Sequence, residues 1–528
     1  MMLVPKLTVA KRLTQRLQNK LPILSRLSRR HSVSADYDVL IIGAGLSGIG
    51  MACYLQRSHL HKRFVLLEKR DDLGGTWDIF NYPGVRSDSD ILTLSYVFRP
   101  WFNDSTLAKG QDIKQYISDT AKQYDIQRHI RYGCEVQQLA WSSERRLWLV
   151  TTKNLKTGEV SQVSAQFVVG ATGYYDVDNG YQPDFVGQET FSGQIVHPQR
   201  WQDIAYHGKN VVVIGSGATA MTLVPALVDP EAIQCAQHVT MLQRSPTYVA
   251  SIKAEDGMLD LLSGRYSPLS RQQAYELVRW RNVWLQQGIY QFATHAPSLV
   301  KRILLHKVKQ DLKGSDVSIR HFSPQYAPWD QRLCAVPDAD LFQALQRGDA
   351  SVVTGEIERF TSDGILLKSG QHLPADMIVT ATGLKLQMLG GAKVYVDGQQ
   401  VDIGNSLTYK AVMIGDVPNM AILFGYTNAS WTLKIDMACQ YILRLLTYMQ
   451  RRRYVVVTPK TQINGERVLT QPETVMANIS AGYIQRAQAE LPKQGDRHPW
   501  QVRNSYLKDR RMFLKEQIKD KWLSFSRK

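Results

Sequence analysis

Residues 39–48 read VLIIGAGLSG, and the reading of this stretch decides the fold. Asp38–Ile42 is apolar and β-rich, as a central parallel strand buried on both faces should be. It runs into Gly43, Gly45 and Gly48, a G-x-G-x-x-G pattern. The first glycine permits a tight turn, the second lets backbone approach a pyrophosphate, and the third lets a helix over 48–57 pack closely on the strand. The positive end of that helix then faces the phosphates. Phe64–Leu67 reads as a second strand ending at Glu68, 20 residues after Gly48. An acid at that place holds ribose hydroxyls. Glycines alone are common, whereas strand, glycines and acid together specify a dinucleotide site. The apolar run 39–55 approaches the ~18 residues of a spanning helix. Its glycines read better as strand, turn and packed helix, so no transmembrane span is predicted.

A second copy follows at 211–220, VVVIGSGATA, with strand Val211–Ile214 leading into Gly215, Ser216, Gly217, Ala218, Thr219 and Ala220. Its next strand, His238–Leu242, ends in Gln243-Arg244-Ser245 and not in an acid. A carboxylate would repel a 2′-phosphate, whereas Arg244 can grip one with its planar fork and Ser245 can add a hydroxyl. The ordinary alternative is a surface arginine beside a strand end. The first site therefore suits FAD and the second NADPH. Phe167–Gly173 and Met377–Gly383 are both short apolar strands closing on Ala-Thr-Gly, one on each side of the second fingerprint. They imply an NADPH domain inserted within a discontinuous FAD domain. The expected fold is α/β, with two Rossmann-like dinucleotide-binding domains and a helical insert. The boundaries read as a basic segment at 1–35, a first FAD part at 36–190, an NADPH domain at 191–380, an FAD return at 381–510 and a basic tail at 511–528. The insert covers about 251–330, where RQQAYELVRWRNVWLQQGIYQFA has helical periodicity.

At 528 residues the chain needs more than one core. Hydrophobic residues at 44% and charged residues at 21% describe a globular protein. Five scattered cysteines with no CxxC argue against a zinc site or a dithiol centre and suit a reducing compartment, so the cytoplasm is expected. The net charge of +17 favours phosphates, acidic surfaces or anionic lipid. Residues 1–35 hold eight basic side chains and no acid, with Leu13, Leu17, Leu21 and Leu24 on one helical face until Pro22 interrupts it. A membrane-surface segment, an organellar transit peptide and a plain basic tail remain open for it. The C-terminal run 503–528 is basic with interspersed aromatics and reads as a solvated tail or helix, with lipid contact as the alternative. No nucleic-acid module is present in the sequence.

Between the two fingerprints lies FSGQIVHPQRW at 191–201. With its neighbours it resembles the FxGxxxHxxxW fingerprint of Baeyer–Villiger monooxygenases, a class of flavin monooxygenases, through Phe191, Gly193, His197 and Trp201. The residue after the tryptophan is Gln202, where the family has Pro or Asp. The resemblance spans about 36–510 and includes GGTWDIFNYPGVRSDSD, LQRSPTYV, PWDQRL and GYTNASWTLK. It is closest to the branch of thioamide-activating ketone monooxygenases and monooxygenases linked to long-chain alkane use. It implies that NADPH reduces FAD, that a flavin peroxide forms with O2, and that a hydrophobic ketone is oxidised to an ester or a soft sulfur or nitrogen atom is oxygenated. On this resemblance Arg332 is the active-site cation, Asp88 the acid that orients it beside the flavin, and His197 a group that couples coenzyme positions. Thr76 and Trp77 line the flavin pyrophosphate region, Val136 lies near the adenine, and Arg86 and Ser87 touch NADPH. Gln331 stands where many relatives carry a cation. A heteroatom-oxygenating enzyme and a non-catalytic, membrane-peripheral cofactor binder are the rival readings.

Overall fold

A computed structural model describes residues 34–102, 105–264, 266–331, 333–476 and 482–527. The basic segment up to residue 33, and Arg332, lie outside the described residues. The first strand forms at Tyr37–Ile42, with Val39–Ile42 buried, and pairs in parallel with Phe64–Leu67 on one side and Val160–Gly170 on the other. Burial on both faces is why these strands are continuously apolar and do not alternate. They form the centre of a nine-stranded sheet that continues through Leu147–Asn154, Cys134–Ser142 and Lys393–Val396. Met420–Ile422 adds a further parallel strand against Val160–Gly170, so the segment after the second fingerprint returns to the first sheet. Helix Leu46–Arg57 covers one face, and the long helix Trp431–Arg452 packs against it.

The second sheet has five parallel strands in the order Ala350–Thr354, His238–Gln243, Asn210–Ile214, Met377–Thr380, Gln194–Val196. The chain enters it through Gln194–Val196 and leaves through Met377–Thr380, and these two strands are neighbours, with Met377 opposite Gln194 and Val379 opposite Val196. Just outside the sheet, Tyr175–Gly180 on the incoming segment pairs antiparallel with Leu384–Leu386 on the outgoing one.

In the chain between strands His238–Gln243 and Ala350–Thr354 come helices Met258–Ser263, Arg271–His295 and Pro297–Asp311. The long helix opens on a capping box in which Ser270 and Gln273 satisfy each other's backbone N–H groups. Its Tyr275, Val278 and Val283 are buried in the same core as the first sheet. Arg279, also buried, donates to the Ser95 carbonyl at 3.3 Å and lies 3.8 Å from Asp436 Oδ2. Asp436 accepts further hydrogen bonds from Tyr54 Oη and the Val97 N–H at 3.0 and 3.1 Å. Burial nevertheless pushes its carboxyl up to about 6.

Residues 511–528, expected as a basic tail, are built into the fold. Helix Tyr506–Leu514 buries Phe513, and strand Leu523–Arg527 pairs antiparallel with Tyr454–Pro459 next to buried Trp522. The aromatic residues in this run explain the difference, because they supply the apolar area that a solvated tail lacks. No helix among the described residues is long and apolar enough to cross a membrane.

Candidate active site

The glycines act as their spacing requires. Gly43 sits at φ +99°, a conformation that side chains rarely adopt, and a Cβ there would lie 2.8 Å from the Ala171 carbonyl oxygen. A Cβ on Gly48 would lie 1.9 Å from the Gly43 carbonyl oxygen, so the helix reaches the turn only without a side chain. Gly45 has no side-chain cap at the helix start, and the Gly74-Gly75 backbone lies beside it, with Gly74 as its isolated bridge partner. Gly215 repeats the first role at φ +138°, where a Cβ would lie 2.3 Å from the Ala381 carbonyl oxygen. Gly217 opens helix Ala218–Leu227, whose third residue, Ala220, is fully buried.

The first turn, and the start of the helix after the second, border a cavity of about 840 Å³, whereas Gly48, Gly215, Ser216, Gly217 and Ala220 stand outside its lining. From the first fingerprint it is lined by Gly43, Gly45 and Glu68, and Val136 also lines it. Thr76, Trp77, Arg86, Ser87 and Asp88 form another wall, and Ala218 and Thr219 bring the second fingerprint to the same space. Glu68 follows strand Phe64–Leu67 and is buried; its Oε2 accepts the Ala44 N–H at 2.7 Å and its Oε1 the Arg70 N–H at 2.9 Å. Burial pushes the carboxyl up, while both backbone donors pull it down. Asp88 accepts from Ser89 Oγ at 3.3 Å, and Ser87 Oγ donates to the Ser89 carbonyl at 2.8 Å. Gln331 and Leu333, the neighbours of Arg332, both line the cavity.

Other expected residues stand outside the lining. His197 packs over Gly180, where a Cβ would meet its ring at 2.0 Å. Its Nδ1 accepts the Gln199 N–H at 3.2 Å, which places the proton of the neutral ring on the buried Nε2. Burial holds its pKa below the ordinary histidine range. Trp201 is buried edge-on to Tyr206. At the end of strand His238–Gln243, Gln243 turns inward and donates to the His321 carbonyl at 2.6 Å and to Thr354 Oγ1 at 2.9 Å. Arg244, which follows, and Ser245 are both exposed. Ser216 Oγ donates to the Ser245 carbonyl at 3.1 Å, which ties the second glycine turn to this strand end.

Several residues at the cavity carried no sequence assignment. Asp340, outside the lining, holds the cavity residue Arg86 at 2.7 Å from 254 residues away. Thr427 and Asn428 fall in GYTNASWTLK, a stretch notable in sequence but without a role there. Trp431 donates to Ser47 Oγ at 2.9 Å and so closes the wall beside the first helix. Gln286, Ile289, Tyr290 and Phe292 come from the insert.

The donor set fits two dinucleotides. Arg86 Nε and Nη2 are buried without partners although Nη1 is held by Asp340, so two cationic donors remain on a residue that lines the same cavity as Ala218 and Thr219. Thr427 Oγ1 and Asn428 Oδ1 are likewise unpaired in the wall. The two glycine turns offer bare backbone to pyrophosphates. Fold and site thus define a flavoprotein oxidoreductase with two dinucleotide sites opening on one chamber.

Comparison with known proteins narrows the class. Residues 40–256 match the model of the pyridine nucleotide-disulphide oxidoreductase family, although all five cysteines here are free. The chain is 46% identical over 492 residues to a probable FAD-binding monooxygenase, AlmA, of Acinetobacter baylyi, covering 93% of this chain and 96% of that one. It is 46% identical over 493 residues to the FAD-containing monooxygenase EthA of Mycobacterium tuberculosis, covering 93% and 98%. The crystal structure of OTEMO with FAD and NADP superposes with a TM-score of 0.66 at 20% identity, covering 81% of this chain and 88% of that one. The chain belongs to the family of FAD-containing monooxygenases.

Proposed function

We propose that this flavin monooxygenase draws its electrons from NADPH and is of the Baeyer–Villiger type, converting hydrophobic ketones to esters with O2. The observation that carries the reading is the single cavity, in which the FAD-type glycine turn, Arg86 (held from behind by Asp340), Ala218 and Thr219, and apolar residues of the insert share one space. Bound flavin would supply the redox chemistry, accepting hydride from NADPH and activating O2. The chain's own residues bind, orient and keep dry. Glu68 and the Gly43 turn hold the adenine-nucleotide half of FAD, and Trp77 and Trp431 wall the chamber. Arg86 offers its two unpaired nitrogens to the coenzyme. Arg332, as the resemblance implies, supplies a cation that cannot give up its proton, and so stabilises negative charge on activated oxygen without quenching it. Asp88 lines the chamber from the neighbouring wall.

Product analysis with purified holoenzyme and a graded series of 2-ketones, run beside amines and sulfides, tests this reading. Ester formation is expected; exclusive N- or S-oxide formation sinks it in favour of heteroatom oxygenation. In Arg332→Ala, flavin reduction by NADPH is expected to stay intact while ester formation falls by at least about a hundredfold and hydrogen peroxide appears instead. Unchanged ester yield would remove Arg332 from the reaction.

A further inference from the structure

Among the described residues, nineteen large hydrophobic side chains are exposed, and eight of them fall in the helix pair 271–311. On helix Arg271–His295, Leu277, Trp284 and Phe292 lie within one stripe, at 52%, 55% and 46% exposure, with Trp280 and Leu285 on its two edges. Leu299 and Ile303 continue the apolar surface on helix Pro297–Asp311. Single exposed hydrophobics are ordinary, but a cluster containing two tryptophans marks an interaction site. Three of the eight, Ile289, Phe292 and Ile303, also line the catalytic cavity. The patch is therefore the outer lip of the chamber.

Exposed cations flank it. Residues 271–311 carry seven Lys or Arg and two acids, Glu276 and Asp311. Of the seven, Arg279 is buried against Asp436, and Arg271 and Arg281 pair with Asp260 and Asp256, whereas Arg302 and Lys309 are exposed on the second helix. Asp311 is held by Lys307 at 2.9 Å and by Ser251. Helix Tyr506–Leu514 adds basic residues at the edge, where the Arg510 guanidinium lies 5.6 Å from the Trp280 ring and Leu507 is exposed. An apolar face with interfacial tryptophans and a cationic rim suits an anionic bilayer, and it would repel a second copy of a chain with net charge +17.

We infer that the helix pair 271–311 docks this enzyme on an anionic membrane surface, so that lipophilic substrate passes from the bilayer into the cavity past Ile289, Phe292 and Ile303. The passage of substrate rests on the proposed hydrophobic-ketone chemistry; the docking does not. Flotation of the flavin-loaded full chain with vesicles measures docking alone. Vesicles of phosphatidylcholine with about one-third phosphatidylglycerol should carry the protein up, and pure phosphatidylcholine should bind at least about tenfold less. The double variant Leu277→Glu/Trp284→Glu, and separately Arg302→Glu/Lys309→Glu, should each lower partitioning at least about tenfold. Flavin content and turnover of a short, water-soluble ketone should be unchanged in both, since none of these four residues lines the cavity. Should the apolar double variant lose its flavin, the charge variant decides. Wild-type protein that stays unbound on anionic vesicles overturns docking. Flotation of both variants at wild-type level overturns the assigned face and points to another segment. A dimer dissolved by Leu277→Glu/Trp284→Glu, with no vesicle binding, assigns the face to a second copy and overturns docking on lipid. Docking without ester chemistry leaves this inference standing and the proposed reaction refuted.

Discussion

Gln243 occupies the strand end where a ribose-binding acid would otherwise stand, and its amide points inward to His321 and Thr354. That leaves Arg244, exposed and one residue further on, as the group able to meet a 2′-phosphate. Loss of a charge-assisted contact of this kind costs about 1.5–3 kcal/mol. Arg244→Ala is therefore expected to raise the KM for NADPH about tenfold to a hundredfold and to leave the KM for NADH nearly unchanged; steady-state kinetics with both coenzymes check it. An equal loss with the two coenzymes would remove Arg244 from phosphate recognition. The residues legible in sequence share one property, that a local backbone demand fixes them. Gly43, Gly48 and Gly215 are required by turns a few residues long. The Arg86–Asp340 pair was not legible, because its partners meet only after a whole domain has folded between them.

The junction of strand Tyr37–Ile42 with helix Leu46–Arg57 leaves no room for a methyl group at Gly48. Gly48→Ala must push the helix off the turn, at a cost of about 1–3 kcal/mol, and shift the phosphate-facing N–H groups with it. A lower Tm and flavin lost on gel filtration are expected. The same change at Gly217 meets no atom within 4 Å and should leave Tm nearly unaltered. A Gly48→Ala protein that keeps its flavin and its Tm would show that the helix can retreat freely. Strands and helices around both fingerprints were readable because buried parallel strands are apolar throughout. The strand Leu523–Arg527 was not, since its partner Tyr454–Pro459 lies far back in the chain and its composition is basic.

Asp436 joins parts distant in sequence: helix Trp431–Arg452, Tyr54 on the first helix, the Val97 backbone and Arg279 on the insert. Its pKa is raised from 3.8 to about 6. The protonated form is thus favoured by folding; this contribution is complete below about pH 4 and is lost as pH rises through about 6. A displacement of that size at full burial corresponds to about 3 kcal/mol. The stability of the wild type relative to Asp436→Asn should therefore fall between pH 4 and 7, as thermal midpoints of the two proteins would record. A pH-independent gap would mean that Arg279 keeps the carboxylate charged throughout. Nothing in the sequence marks Asp436, because its environment is made by three separate segments meeting.

The strands Gln194–Val196 and Met377–Thr380 bring the two ends of the second-sheet module within one strand spacing, about 4.8 Å. A unit whose beginning and end emerge side by side is a natural cassette. Two cuts at one place would free it, while the first sheet on either side stays closed.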